Sequence, residues 1–304
     1  MRTVIAVDAG QQATTTRAAT ASGLAEMTGP GLDATLPLAP QWADAITALL
    51  TKHPDLDAEE VGVSTSPRLR ATAHDLLPLL AQTPIRRAAV ASNDVAAYLG
   101  ALGDQHGAVI HASTVTVCVA CGPRGSAQVD GWGPHFGDAG SAYWIGRTAI
   151  EAALRGYDGR RQLTALTAML REDFPDLDSA HLGLQSGPGF VARVASYAAK
   201  VDALAASDRV SANILDKAAA HLSEAVQAAI RRAGLTGPDS PRVVAVGSVF
   251  DSARVRTRFC DYLTLHWPNF ALTEPAGDEL DGAASLHALS PEHPLFGRVS
   301  FAAR

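Results

Sequence analysis

Two spacings of apolar residues alternate along the chain, one continuous or of period two, the other of three to four. Residues 4–8 form a short apolar run that ends on Asp8, the pattern of a buried strand. Residues 9–17 hold Gly, Gln and Thr and read as a polar turn, with 18–21 as a returning strand. Trp42, Ala45, Ile46, Leu49 and Leu50 recur at helical spacing and predict an amphipathic helix over 42–52. A strand over 61–66 running into a small-hydroxyl turn, a helix including 76–80, a strand over 87–91 and a helix over 95–102 follow.

A second round then begins. Residues 108–111 read as a strand, 112–116 as a hydroxyl-rich turn, and further strands run to 120 and over 126–130. The strand, hydroxyl turn and strand of the N-terminus thus recur about a hundred residues later, which predicts two domains of one fold facing each other across a cleft. Helical spacing covers 142–154, 163–172, 191–204 and 209–232. A buried strand over 243–250 closes on a Gly-Ser turn, followed by a helix over 253–265, a short strand over 270–272 and a last small-residue helix over 281–286. Strands and helices alternate throughout, so the class is α/β.

Three stretches carry candidate chemistry. Residues 129–146 pack five glycines and the carboxylates Asp130 and Asp138 into one loop that leads into a helix. A loop so dense in Gly, Trp and Asp suits a binding site, although Asp and Ser are also ordinary helix caps. Asp94 sits between a strand end and a helix start, the edge at which open α/β sheets bind ligands and equally an N-cap position. The Asp8 hairpin can wrap a phosphate with backbone N–H groups and hydroxyls. It is neither a Walker A loop nor a Rossmann fingerprint, because no Gly-Lys-Ser/Thr follows and the next element is a strand.

Composition narrows the classes. The 304 residues are 47% hydrophobic and 18% charged with a net charge of −6, a globular chain without the basic run that nucleic acid or an anionic membrane would need. No stretch reads as a signal peptide or membrane span, and three cysteines make no disulfide framework, so a reducing cytoplasm is expected. Cys118 and Cys121 fall in an alternating segment that points them to opposite faces, which favours small core residues over a metal or redox pair.

Together, Asp130-Gly131-Trp132-Gly133, Gly137-Asp138-Ala139-Gly140-Ser141, Ile145-Gly146 and Tyr157-Asp158-Gly159-Arg160 resemble the BadF/BadG/BcrA/BcrD ATPase family. Ala195-Ser196-Tyr197-Ala198, Val246-Gly247-Ser248-Val249-Phe250 and Gly282-Ala283-Ala284 extend the likeness over nearly the whole chain, and within the family it is closest to the N-acetylglucosamine kinase branch of the actin/hexokinase/Hsp70-like ATPases. The resemblance implies two RNase H-like domains, the first over 1–105 with a returning segment at about 280–304, the second over 106–279 with a helical insertion. It implies ATP and Mg²⁺, with an amino sugar as substrate, phosphorylated on the 6-hydroxyl of N-acetylglucosamine or glucosamine, and it allows a homodimer.

By the same resemblance Asp8 positions Mg²⁺ through water, and Gly10, Gln11, Thr14 and Thr15 form a first phosphate loop. Asp94 is the base, Thr114 lies in a second phosphate loop, and Gly247-Ser248 is an adenosine turn. Ser66, Asn93, Gly131, Trp132 and Asp138 fall on the sugar side. Two departures stand out. The first loop reads Asp8-Ala9-Gly10-Gln11-Gln12 where Asp-Gly-Gly-Gly-Thr is usual, and the second reads Ser113-Thr114-Val115-Thr116 without its glycines. They leave open a sugar-binding pseudokinase or sensor with eroded phosphate loops. The iron–sulfur ATPase activators of the same family would need a cysteine arrangement for which this chain offers Cys118, Cys121 and Cys260.

Overall fold

A computed structural model of the protein describes residues 3–10, 12–20, 23–66, 71–186, 189–237 and 240–304. The chain divides into two compact units: Met1–His106 with Glu274–Arg304, and Gly107–Thr273.

The first unit opens with a meander of β1 (Thr3–Ala9), β2 (Ala13–Thr20) and β3 (Gly23–Pro30). It continues through α1 (Leu38–Lys52), β4 (Ala58–Thr65), α2 (Ala73–Leu76), β5 (Arg87–Ser92) and α3 (Asn93–Leu102). The second unit repeats the opening with β6 (Gly107–Ala112), β7 (Thr116–Gly122) and β8 (Gly125–Asp130). Its helices are α4 (Ala142–Tyr157), α5 (Ala165–Asp173), α6 (Ala180–Gln185), α7 (Phe190–Ala195), α8 (Tyr197–Leu204) and α9 (Arg209–Ala233), then β9 (Val243–Val246) and α10 (Ala253–Thr264). The chain returns to the first unit with α11 (Glu279–Ser285) and β10 (Ser300–Ala303).

The two sheets share a plan. The first has the order β10-β5-β4-β1-β2-β3 and the second β8-β7-β6-β9. In each, the first strand pairs antiparallel with the second and parallel with the strand that follows the helical crossover. This is the RNase H-like arrangement, written twice. Side chains alternate across β1: Ile5, Val7 and Ala9 enter a core with Trp42, Ile46 and Leu49 of α1, while Ala6 meets Leu280 and Ala283 of α11. In the second unit α9 covers β6, β7 and β8, and Ile110, Cys118 and Ala120 pack beneath it. Cys118 and Cys121 are fully buried, as the strand pattern predicts, and burial pushes the Cys118 thiol far up. Among the described residues no helix is long and apolar enough to cross a membrane.

Several boundaries differ from the pattern, each for a local reason. The first turn is short, and Thr14, Thr15, Thr16 and Arg17 belong to β2. β3 escapes a reading by periodicity because, as an edge strand, it buries Ala25 and leaves most other positions exposed. The helix expected over 191–204 breaks at Ser196, whose hydroxyl bonds the Arg193 carbonyl at 2.7 Å in competition with the helical ladder. The strand expected over 243–250 stops at Val246 and passes through Gly247 into a 3-10 turn over Ser248–Asp251. Residues 270–272 form no strand; Phe270 is spent on the core, and one bond from Thr273 N–H to the Val243 carbonyl ties the segment down.

What seats α11 is a set of glycines. A Cβ on Gly282 would lie 2.7 Å from the Ala96 carbonyl carbon and from Gly100 N, and one on Gly100 would lie 2.7 Å from the Asp278 carbonyl carbon. On β4, a Cβ at Gly62 would lie 2.8 Å from the Ala283 carbonyl carbon. Backbone therefore meets backbone between α3, α11 and β4, which only residues without a side chain allow. Gly282→Ala is expected to destabilise the protein by about 1–3 kcal/mol through overpacking. Gly297→Ala, where a Cβ meets open space, is expected to be near neutral. Thermal unfolding of the two variants beside the unmodified protein checks this.

Candidate active site

In the first unit, strand register builds the site. Asp8 near the end of β1 stands opposite Ser64 of β4 and Thr15 of β2, so the three side chains share one face. That face receives α11, and the Ser64 hydroxyl donates to Glu279 at the start of that helix. Asp278 caps α11, accepting the Asp281 N–H at 2.9 Å, while Arg17 Nη1 reaches its carboxylate at 2.8 Å. Asp94, in the first turn of α3, is 6% exposed. Its Oδ2 accepts from Arg298 Nη2, and its buried Oδ1 has no hydrogen-bond partner among the described residues.

Electrostatics tie these acids together. Burial, followed by the charge of Asp278, raises the Asp8 carboxyl above the ordinary range. Burial first, then Asp8, with further repulsion from Asp94 and Asp278, pushes Glu279 up to about 7 against the opposing Ser64 hydrogen bond. Burial also opposes the charge on Asp278, but the Asp281 N–H and Arg17 outweigh it and hold that carboxyl low.

The other expected residues of this unit scatter. Thr14 lies on the opposite face from Asp8 and lines a cavity of about 320 Å³ with Gln41, Asp44 and Ala45 of α1; its hydroxyl is buried without a partner among the described residues. Thr15 is on the Asp8 face, 3.2 Å from the Thr28 hydroxyl. The Gly10 N–H is engaged by the Ala13 carbonyl at 3.0 Å. Gln11 lies outside the described residues. Ser66 follows β4 and Asn93 opens α3, both half-buried.

In the second unit a clamped loop does the positioning. β8 ends at Asp130, whose φ of 64° is left-handed, as are Gly131 at 80°, Gly133 at 86°, Asp138 at 57° and Gly140 at 81°. Non-glycine residues in that region cost on the order of 1–3 kcal/mol. Here the Asp130 carboxylate offsets the cost by accepting the N–H groups of Asp138 at 2.7 Å and Ala139 at 3.1 Å. Asp138 is 1% exposed, and its Oδ1 accepts the Thr116 N–H at 3.2 Å. Sequence marked Asp138 for substrate; its geometry ties the glycine loop to residues 113–116. Trp132, 74% exposed, stands in solvent.

Residues 113–116 need no left-handed backbone, since Asp130 and Asp138 are the positive-φ residues other than glycine among those described. Val115 in place of glycine therefore introduces no strain. Thr114 is half-buried at the turn, and the Ser113 hydroxyl lies 3.2 Å from that of Ser248. Gly247, with φ 103°, approaches the Ala112 backbone so closely that a Cβ would lie 2.7 Å from its carbonyl carbon. Beside this turn a cavity of about 360 Å³ is lined by Ile145, Ala199, Asp202, Leu215, Ser248 and Val255. That size falls in the range of small-molecule pockets.

The donor sets can be tested against the groups that the resemblance implies. Among the described residues no three His, Cys, Asp or Glu converge to cage a metal. The first unit instead offers a half-buried Asp8 in a field of like charges, which suits a hydrated cation held through water. The residues fit Mg²⁺ in that form. Glu279 and Arg298 were not anticipated from sequence. The Asp278-x-x-Asp281 capping box marks where α11 starts and would have drawn attention to Glu279; Arg298 carries no local signal.

Because Glu279 holds a proton in the fold that the unfolded chain has lost between pH of about 4.5 and 7, stability falls as pH rises through that window, by on the order of 3 kcal/mol. In metal-free buffer Glu279→Gln is expected to unfold at a higher temperature than the unmodified protein at pH 8. The gap closes toward pH 5, as a pH series of melting curves will read.

Comparison with known proteins follows the same outline. The model of the BadF/BadG/BcrA/BcrD ATPase family matches residues 72–283. A 195-residue stretch is 28% identical to the N-acetylmuramic acid/N-acetylglucosamine kinase of Clostridium acetobutylicum; it spans 62% of this chain and 63% of that protein's length. In fold the chain is similar to a candidate N-acetylglucosamine kinase from Chromobacterium violaceum, with a TM-score of 0.69 at 23% identity over 93% of this chain and 98% of that one. A second candidate N-acetylglucosamine kinase, from Porphyromonas gingivalis, gives 0.66 at 16% identity over 94% and 98%. With a family match over more than half its length and the doubled RNase H-like plan, the chain belongs to the BadF/BadG/BcrA/BcrD ATPase family.

Proposed function

We propose that the protein is an ATP- and Mg²⁺-dependent amino-sugar kinase that phosphorylates the 6-hydroxyl of N-acetylglucosamine or glucosamine, with Asp94 as the base. The observation that carries this reading is the state of the Asp94 carboxylate. One oxygen is held by Arg298, and the other is buried with its hydrogen-bonding capacity unused among the described residues. A buried acceptor without a partner is costly, and a substrate hydroxyl would satisfy it. The name of the Clostridium relative supplies the substrate class, and the family's name supplies the nucleotide.

Phosphoryl transfer asks for positioning and charge neutralisation more than covalent help. The acceptor hydroxyl oxygen bonds the γ-phosphorus as the bond to the β,γ-bridging oxygen breaks, releasing ADP, and the hydroxyl proton passes to Asp94 Oδ1. Mg²⁺, when bound, would neutralise phosphate charge, with Asp8 holding its water shell. The cavity beside Gly247 and Ser248 would take the nucleoside, with apolar walls from Ile145, Leu215 and Val255 and polar groups from Asp202 and Ser248. Asp130 and Asp138 would hold the second phosphate loop in shape through Thr116.

The test is ADP release by the purified protein with ATP and Mg²⁺ over a panel of hexoses and amino sugars. Turnover with an amino sugar is expected, and Asp94→Asn should lower kcat by about 10²–10⁴-fold with an unchanged circular dichroism spectrum. No turnover with any amino sugar, or undiminished turnover in Asp94→Asn, contradicts the proposal. Sugar binding by calorimetry without nucleotide binding would favour a sugar sensor.

A further inference from the structure

The carboxylate assigned as the base is paired with a residue from the far end of the chain, and how that residue arrives is informative. β10 pairs antiparallel with β5, with Ser300 opposite Val90. Just before that pairing begins, Arg298 closes a 3-10 turn over Phe296–Arg298, and its guanidinium reaches the strand end from which α3 and Asp94 begin. There Arg298 Nη2 bonds Asp94 Oδ2 and lies 3.5 Å from the Ser92 hydroxyl. The charges around this pair are acidic: Glu279 on α11, raised first by burial and then by Asp8 on β1, also feels the charge of Asp94. Asp94 thus has repulsive neighbours on the α11 side and a cation on the β10 side.

The contact engages one oxygen. A carboxylate held through Oδ2 cannot rotate to exchange its two oxygens without breaking a charge-assisted bond, so Oδ1 keeps a constant direction. Resting on the reading of Asp94 as the base, we infer that Arg298 is a positioning residue that fixes the Asp94 carboxylate with Oδ1 presented to the acceptor hydroxyl.

β10 has anchors of its own besides Arg298. Arg304, at the other end of that strand, donates its N–H to the Arg86 carbonyl at 3.1 Å and its guanidinium to the Leu80 carbonyl at 2.8 Å. The Ser300 hydroxyl accepts the Ala73 N–H at 3.2 Å, and Phe296 stacks on Phe301 at 5.0 Å between ring centres. Arg298 itself is partly exposed, so its removal opens the pair without emptying a core site. A role in orientation and a role in anchoring the strand therefore separate experimentally.

Steady-state kinetics at saturating ATP, with the best amino sugar from the panel, test the inference on Arg298→Met and Arg298→Lys. Arg298→Met is expected to lose about 100-fold in kcat, the scale of a misaligned catalytic group, with the sugar KM changed by less than about threefold. Its melting temperature should fall, because the buried Asp94 loses its counter-ion, so the assay is run well below it, where the circular dichroism spectrum should match that of the unmodified protein. Arg298→Lys should recover part of the loss, and added millimolar guanidinium ion should partly rescue Arg298→Met but not Asp94→Asn. A kcat in Arg298→Met within about threefold of the unmodified protein, or a loss that tracks its melting temperature and resists guanidinium, overturns the inference while leaving the kinase reading intact. An unmodified protein that turns over no sugar overturns both.

Discussion

The first unit depends on a contact without side chains. Gly100 and Gly282 let α3 and α11 touch backbone to backbone, and Gly62 lets α11 press onto β4. That seam sets the height of α11 over the sheet, and with it the reach from Glu279 to Ser64 and from Asp278 to Arg17. A spacing larger by one methyl group would separate the acids that now share a field. The candidate chemistry of this unit is thus set by a steric limit in residues that take no part in it.

Burying Asp8 and Glu279 and then setting them in the field of Asp94 and Asp278 is unfavourable, and the cost is visible as raised carboxyls at Asp8 and Glu279. The fold answers it in three ways. Arg17 and the α11 cap hold Asp278 ionised, Arg298 donates to Asp94 Oδ2, and Glu279 is left close to protonation at neutral pH. A field of this sign, incompletely neutralised by the chain, suits a hydrated cation. The second unit solves a different problem. There Asp130 spends its carboxylate on backbone N–H groups to keep a left-handed loop in place, so an acid that looks chemical in sequence is architectural.

Much of this was legible in the chain. The doubled hairpin opening, the strand-end position of Asp8 and the helix-start position of Asp94 follow from apolar spacing, and the two sheets reproduce the repeat. What escaped was of two kinds. Edge strands β3 and β10 bury too few residues to print a period. Partnerships such as Arg298 with Asp94, 204 residues apart, leave no local trace because the return of the chain to the first unit creates them. Thr14 and Thr15 show the limit of motif reading: adjacent in one expected loop, they occupy opposite faces of β2 because that strand starts earlier than the turn composition suggested. Likewise, the missing glycines at Ser113 and Val115 suggested an eroded phosphate loop, yet the backbone there takes no positive φ that would call for glycine.

The central claim is that Asp94 delivers an amino-sugar hydroxyl to the γ-phosphorus of ATP. Phosphorus NMR of a reaction containing protein, Mg²⁺, ATP and N-acetylglucosamine or glucosamine tests it most directly. The account predicts growth of a sugar phosphomonoester resonance on the 6-position in step with ADP, and its absence with Asp94→Asn. Growth of inorganic phosphate alone, or a spectrum that stays that of ATP with every amino sugar, would contradict it.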